Sequence, residues 1–126
     1  MVGYTLLGSN DLPRAKAFYD DLLALFGAKR AMGFDRMQLW ASSGPMLGVC
    51  TPYDGGTASP GNGTMVSLAA STRAQVDAVH AKALALGATD EGAPGVRGDD
   101  PNGFYGAYFR DLDGNKLCIF RVGPAG

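Results

Sequence analysis

Met65-Val66-Ser67-Leu68-Ala69-Ala70-Ser71-Thr72-Arg73-Ala74-Gln75 starts the chain a second time. The apolar run over 65–70 has the length of a short strand. Ser71 and Thr72 then offer side-chain oxygens to the free first-turn amides of a helix, and Gln75 stands where a capping box needs it. Val76, Val79, His80, Ala83 and Leu84 follow at helical spacing, and Gly87 stops the helix. The same order of parts occurs at the beginning. Residues 3–8 form a short apolar run, Ser9-Asn10-Asp11 supplies caps, and Pro13 is tolerated in a first turn because its missing N–H has no partner there. From Leu12 the apolar residues fall at Ala15, Phe18, Tyr19, Leu22, Leu23 and Phe26. Arg14, Lys16, Asp20 and Asp21 lie mostly on the other face, and Gly27 ends the helix. Moving the first copy by 61 positions puts Tyr4 on Met65, Leu7 on Leu68, Asp11 on Thr72, Phe18 on Val79, Tyr19 on His80 and Leu23 on Leu84.

Three strand-like runs, about 28–33, 36–42 and 45–51, follow the first helix. After the second comes a stretch read as loop, including Gly92-Ala93-Pro94-Gly95-Val96-Arg97-Gly98. A hairpin of 104–110 and 115–122 then turns through Asp111-Leu112-Asp113-Gly114, whose residue types suit a tight turn. An internal repeat of about 60 residues sets the fold. The expected class is α+β, with two tandem βαβββ modules forming a curved mixed sheet around a central cavity. The chain reads as a single domain, 1–126, with module one at about 1–56 and module two at about 62–124. A lone module of about 60 residues buries too little surface to be more than marginal, which favours two side by side.

Composition narrows the partners. Of 126 residues, 46 % are hydrophobic, enough for a core, and the formal net charge is −1. With no basic excess, phosphates are not neutralised and nucleic acid is not an expected partner. No apolar run approaches the roughly 20 residues of a membrane span, so no membrane partner is expected. The start lacks the charged flank and apolar core of a secretion signal. Cys50 and Cys118 lie far apart in apolar runs and read as free thiols of a reducing compartment, hence a cytoplasmic protein.

Gly8-Ser9-Asn10-Asp11-Leu12 with Phe18-Tyr19, and Asp111-Leu112-Asp113-Gly114-Asn115-Lys116-Leu117, resemble the vicinal oxygen chelate superfamily. That superfamily includes glyoxalase I, extradiol dioxygenases and the fosfomycin and bleomycin resistance proteins. The likeness spans essentially the whole chain. The runs Gly92–Arg97 and Phe104–Tyr108 resemble a bacterial glyoxalase-like subgroup of unassigned activity. Leu112 departs from the proline usual there. The resemblance implies a divalent-metal site built from a histidine, or glutamine, in the first strand of module one, a histidine in the first strand of module two, and a carboxylate from the last strand of each. Carried over, those positions fall on Tyr4, Leu47, Met65 and Cys118. A neutral tyrosine and a thioether are poor ligands for Zn²⁺, Mn²⁺ or Fe²⁺. The one histidine, His80, sits on the second helix at a packing position, so no metal and no cofactor are expected.

By strand alternation Tyr4, Met65 and Cys118 should face the cavity. Gln38, Trp40, Leu47 and Tyr108 are the further expected lining residues, and Arg97 is a candidate clamp for an anion. Asp111, Asp113, Asp99 and Asp100 are explained by turn and loop chemistry. The sequence reading is a metal-independent small-molecule-binding protein of the glyoxalase/bleomycin-resistance type, pairing as a homodimer. The alternative is a lyase, isomerase or dioxygenase-like enzyme acting on a small oxygenated substrate in the same cavity.

Overall fold

Asp11 and Thr72, the two residues that the repeat brings into register, each cap a helix. Asp11 Oδ1 accepts the Arg14 amide at 3.1 Å, and Thr72 Oγ1 accepts the Gln75 amide at 3.1 Å. Gln75 Oε1 reaches back to the amide of Ser71 at 2.7 Å, one residue ahead of the cap itself. Helix α1 spans Leu12–Leu23 and runs on into a 3₁₀ turn, Ala24–Phe26; helix α2 spans Arg73–Ala85. Gly27 and Gly87 close them with φ of 71° and 102°, a conformation in which a Cβ would be strained.

In the computed structural model, which describes residues 1–125, the strands are β1 Tyr4–Gly8, β2 Lys29–Phe34, β3 Met37–Ala41, β4 Met46–Cys50, β5 Val66–Ala69, β6 Thr89–Val96, β7 Phe104–Arg110 and β8 Lys116–Val122. The last residue of the expected domain, 126, lies outside the described residues. The strands make two four-stranded sheets, β1-β4-β3-β2 and β5-β8-β7-β6. In each, the strand before the helix pairs in parallel with the last strand of the module, and the remaining pairs are antiparallel. The architecture is therefore α+β, two tandem modules of helix plus mixed sheet. The chain separates into two compact units, Met1–Pro60 and a second beginning at Gly61.

Each unit has its own core, between its helix and one face of its sheet. In the first, Ala15, Phe18, Tyr19 and Leu22 of α1 are buried with Leu7, Trp40, Leu47 and Val49. In the second, Val76, Val79 and Ala83 of α2 are buried with Ala107, Phe109, Leu117 and Ile119. Each fully buried large side chain contributes about 1.5–3 kcal/mol, so these faces hold the helices in place.

The stretch after Gly87, expected as loop, is strand β6. Glycine and proline suggested a loop because both resist a central strand. However, β6 is an edge strand, and its pairing with β7 slips between Asp90 and Gly92 and again between Gly92 and Gly95. An edge accommodates Pro94 and bulged glycines without breaking the ladder behind it.

Candidate functional site

Alternation along each strand divides a sheet into two faces. In the first sheet, Tyr4 pairs with Met46, and Leu6 and Leu39 both pair with Gly48. These residues share the face turned away from α1. A Cβ on Gly48 would run into the side chains of Leu39 and Leu6, so the glycine makes room for them. Tyr4 is 52 % exposed on this face.

Gln38, Trp40 and Leu47 lie on the opposite face, against α1. This corrects the expectation that they share a lining with Tyr4. Trp40, 2 % exposed, packs its ring 5.9 Å from that of Tyr19 and donates its indole N–H to Asp20 Oδ1 at 2.9 Å. Leu47 pairs with both Thr5 and Trp40, one residue out of phase with Tyr4. The Gln38 amide donates to the carbonyls of Met32, at 3.1 Å, and Leu39, at 3.0 Å, where β2 is irregular. The physical reason is that β3 and β4 are inner strands, buried on both faces through their middles. A strand buried on both sides carries no apolar–polar alternation from which to read its phase.

The second sheet brings Arg97, Tyr108 and Cys118 together. Cys118 pairs with Tyr108 on one side and Ser67 on the other, on the face turned away from α2. The thiol is 1 % exposed, and burial pushes its pKa up. Hydrogen bonds from Ser67 and Tyr108, and the charges of Arg97 and Lys116, pull the other way without prevailing. The Arg97 guanidinium lies 5.5 Å from the centre of the Tyr108 ring, and the Lys116 ammonium 5.6 Å from the same centre. Phe120, one two-residue repeat along β8 from Cys118, stacks on Phe104 with centroids 5.4 Å apart and planes within 4°. Met65 stands just ahead of β5 and is 43 % exposed.

Lys116, Ser67, Phe104 and Phe120 were not among the residues expected from the sequence. Their signal was period two: Lys116, Cys118 and Phe120 alternate along β8, as Phe104 and Tyr108 do with Gly106 along β7. Two further residues serve packing. His80, buried on α2, places Nε2 3.0 Å from Asp90 Oδ1 and so ties the helix to β6. Asp111 accepts the amides of Asp113 and Asn115, each at 2.9 Å, which is turn chemistry.

The family model described as Glyoxalase/Bleomycin resistance protein/Dioxygenase superfamily matches residues 2–119. The chain belongs to this superfamily. A solved glyoxalase/bleomycin resistance protein from Albidiferax ferrireducens is 37 % identical, with a TM-score of 0.87 over 95 % of this chain and 97 % of that one. A lactoylglutathione lyase from Agrobacterium tumefaciens is 25 % identical, with a TM-score of 0.67 over 95 % and 92 %. The genomically encoded fosfomycin resistance protein of Listeria monocytogenes, solved with manganese(II) and sulfate, is 14 % identical. Its TM-score is 0.69 over 100 % and 90 %, a likeness of fold alone. No curated protein matches the chain.

The metal implied by the glyoxalase superfamily meets a poor donor set here. Tyr4 pairs with Met46, and Cys118 is a buried thiol held toward its neutral form. Among the described residues, no three His, Cys, Asp or Glu side chains gather at ligating positions. Thioether, phenol and neutral thiol do not suit Zn²⁺, Mn²⁺ or Fe²⁺.

Proposed function

We propose that this chain is a metal-independent small-molecule-binding protein of the glyoxalase/bleomycin-resistance type, holding an apolar or aromatic ligand on the face of its second sheet turned away from α2. The observation that carries the reading is the face itself. Stacked Phe104 and Phe120 form an apolar floor beside Tyr108, Ser67 and Arg97, which supply a few polar groups. Small-ligand sites are usually built this way, with apolar surface for affinity and sparse polar groups for orientation. The donor set supports binding without a metal.

The test is elemental analysis of untagged protein, followed by calorimetric titration with Zn²⁺, Mn²⁺, Ni²⁺ and Fe²⁺. The expected result is no stoichiometric metal and no heat of binding. One metal per chain bound with sub-micromolar affinity would overturn the reading and favour a metalloenzyme.

A second reading, a lyase- or isomerase-like enzyme, has one observation in its favour. Tyr108 and Cys118 are direct cross-strand neighbours, and two cations lie at the tyrosine ring. Such a pair can relay a proton only if one member ionises near neutral pH. Ultraviolet titration of thiolate absorbance decides this: ionisation of Cys118 below the ordinary thiol range would favour the enzyme.

Cytoplasmic location and a homodimer belong to the same proposal. Both cysteines are unpaired, which suits a reducing compartment. No helix among the described residues is long and apolar enough to cross a membrane. The short edge strands β1 and β5 leave backbone groups able to pair with another copy. Light scattering at two concentrations tests the dimer.

A further inference from the structure

Arg97 and Lys116 are two cations at one aromatic ring, and neither forms an ion pair among the described residues. Their neighbour Arg110 behaves differently. It is already engaged by Glu91 at 2.6 Å and by the Gly114 carbonyl at 2.9 Å.

The position of Arg97 is built rather than incidental. Its amide donates to the Phe104 carbonyl at 2.9 Å, which fixes the residue at the end of β6. Its Nη2 donates to the Ala93 carbonyl at 2.7 Å, folding the side chain back along the strand. The guanidinium then lies over two residues without side chains. A Cβ at Gly95 would stand 3.0 Å from Nη1, and one at Gly92 would stand 3.4 Å from Nη2 and 2.9 Å from Tyr108 Cδ2. The bare backbone of β6 is thus the bed of the arginine, and Tyr108 is the ring it lies against. The guanidinium N–H groups not given to Ala93 have no acceptor in the described residues. A partly buried, pre-placed guanidinium with free donors and no carboxylate partner is matched by an oxyanion, which accepts two parallel N–H bonds. Lys116 adds a second charge from the other side strand, and Ser67 adds an exposed hydroxyl.

We infer that the second sheet takes a small organic acid: its carboxylate or phosphonate seats on Arg97 and Lys116 beside Tyr108, and its apolar or aromatic body lies on Phe104 and Phe120. This rests on the binding face proposed above and names the chemical class that the face selects. Phe120 stands one two-residue repeat, roughly 7 Å, along β8 from Cys118, and Phe104 stacks on it. That separation suits a molecule with a ring at one end and an acid group at the other.

The experiment is a titration of isotope-labelled protein, followed by amide chemical shifts, with three probes of one shape: benzoate, phenylphosphonate and the uncharged benzyl alcohol. Shifts concentrated on β6, β7 and β8, with an acid binding at least about tenfold more tightly than the alcohol, are expected for a charge-assisted contact. Raising salt should weaken the acids and leave the alcohol unchanged. Whichever acid binds more tightly identifies the headgroup. Arg97→Met and Lys116→Met should each abolish the preference for acids while the alcohol still binds. Gly95→Ala keeps the charge but displaces the guanidinium, and should weaken the acids as well. Equal binding of alcohol and acids, or a preference unchanged in Arg97→Met, would overturn the acid site and leave the binding face standing. Failure of all three probes to shift β6, β7 or β8 would overturn both.

Discussion

Trp40 donates its indole N–H to Asp20 Oδ1 at 2.9 Å, tying the middle of the first sheet to the last turn of α1. The same carboxylate receives two bonds from Arg30 of β2, each 2.9 Å. Asp20 therefore joins helix, inner strand and edge strand. The helical stripe put it on the solvent side, and only its rim position lets it reach both partners.

Removing the ring should be costly. Trp40→Ala deletes a fully buried aromatic and should destabilise the first unit by about 3–5 kcal/mol. Trp40→Phe keeps much of the packing but leaves Asp20 one donor short, for about 1–2 kcal/mol. Equilibrium denaturation with circular dichroism measures both, since the variants lose the chain's single tryptophan.

Asp20 should contribute to acid sensitivity. Its pKa is lowered, first by the Arg30 hydrogen bond, then by the Trp40 bond and the charges of Arg30 and Lys16, with burial opposing. A carboxylate whose folded pKa lies below its unfolded value stabilises the fold above the unfolded value, about 3.9. That contribution is lost as pH falls through the folded value. Because both side chains of the pair are partly exposed, it amounts to less than about 1 kcal/mol. Melting curves from pH 6 to pH 3 should show a shallower acid slope for Asp20→Asn; an identical slope would contradict the assignment.

Asp90 anchors β6 to α2. Its pKa is lowered, first by the Gly92 amide at 2.9 Å and then by His80. Asp90→Ala should speed hydrogen exchange at the Gly92 amide while leaving exchange on β7 unchanged. In the parent protein the same amide should begin to open only as pH falls below the ordinary carboxylate range, since the anchoring form is the ionised one.

The two thiols should react at different rates. Cys50 is partly exposed, whereas Cys118 is buried and held toward its protonated form. A thiolate-specific reagent should modify Cys50 first and Cys118 only as fast as the second unit opens. Peptide mapping of singly labelled protein, with label on Cys118 before Cys50, would refute this.

Thr72→Ala should remove the α2 cap and cost about 1 kcal/mol, with Asp11→Ala costing a similar amount at α1. Thermal melting of the two variants tests whether the repeated caps are equivalent in energy as well as in place.

Both caps, both helical stripes and the glycines that end them were legible because each depends on residues a few positions apart. The turn at Asp111–Gly114 was legible for the same reason. The strand after Gly87 was not, because glycine and proline report local backbone preference, whereas edge position in a sheet is a property of the neighbours. Gln38, Trp40 and Leu47 were placed on the wrong face for Tyr4 because inner strands are apolar on both sides. Arg97, Tyr108 and Cys118 were legible as separate candidates, but nothing local linked them to Lys116, Phe104 or Phe120.

The sequence by itself determined that the chain is built twice over from a strand, a capped helix and returning strands. It also determined that the chain's one histidine, His80, falls on the stripe of the second helix. Those statements follow from residue identity and short-range periodicity. Only the tertiary structure decided which side of each inner strand faces the helix, that residues 89–96 pair as an edge, and that a cation just past β6 and another on β8 meet one tyrosine ring. Each of these is set by cross-strand register, and a shift of one residue would have sent every side chain to the other face.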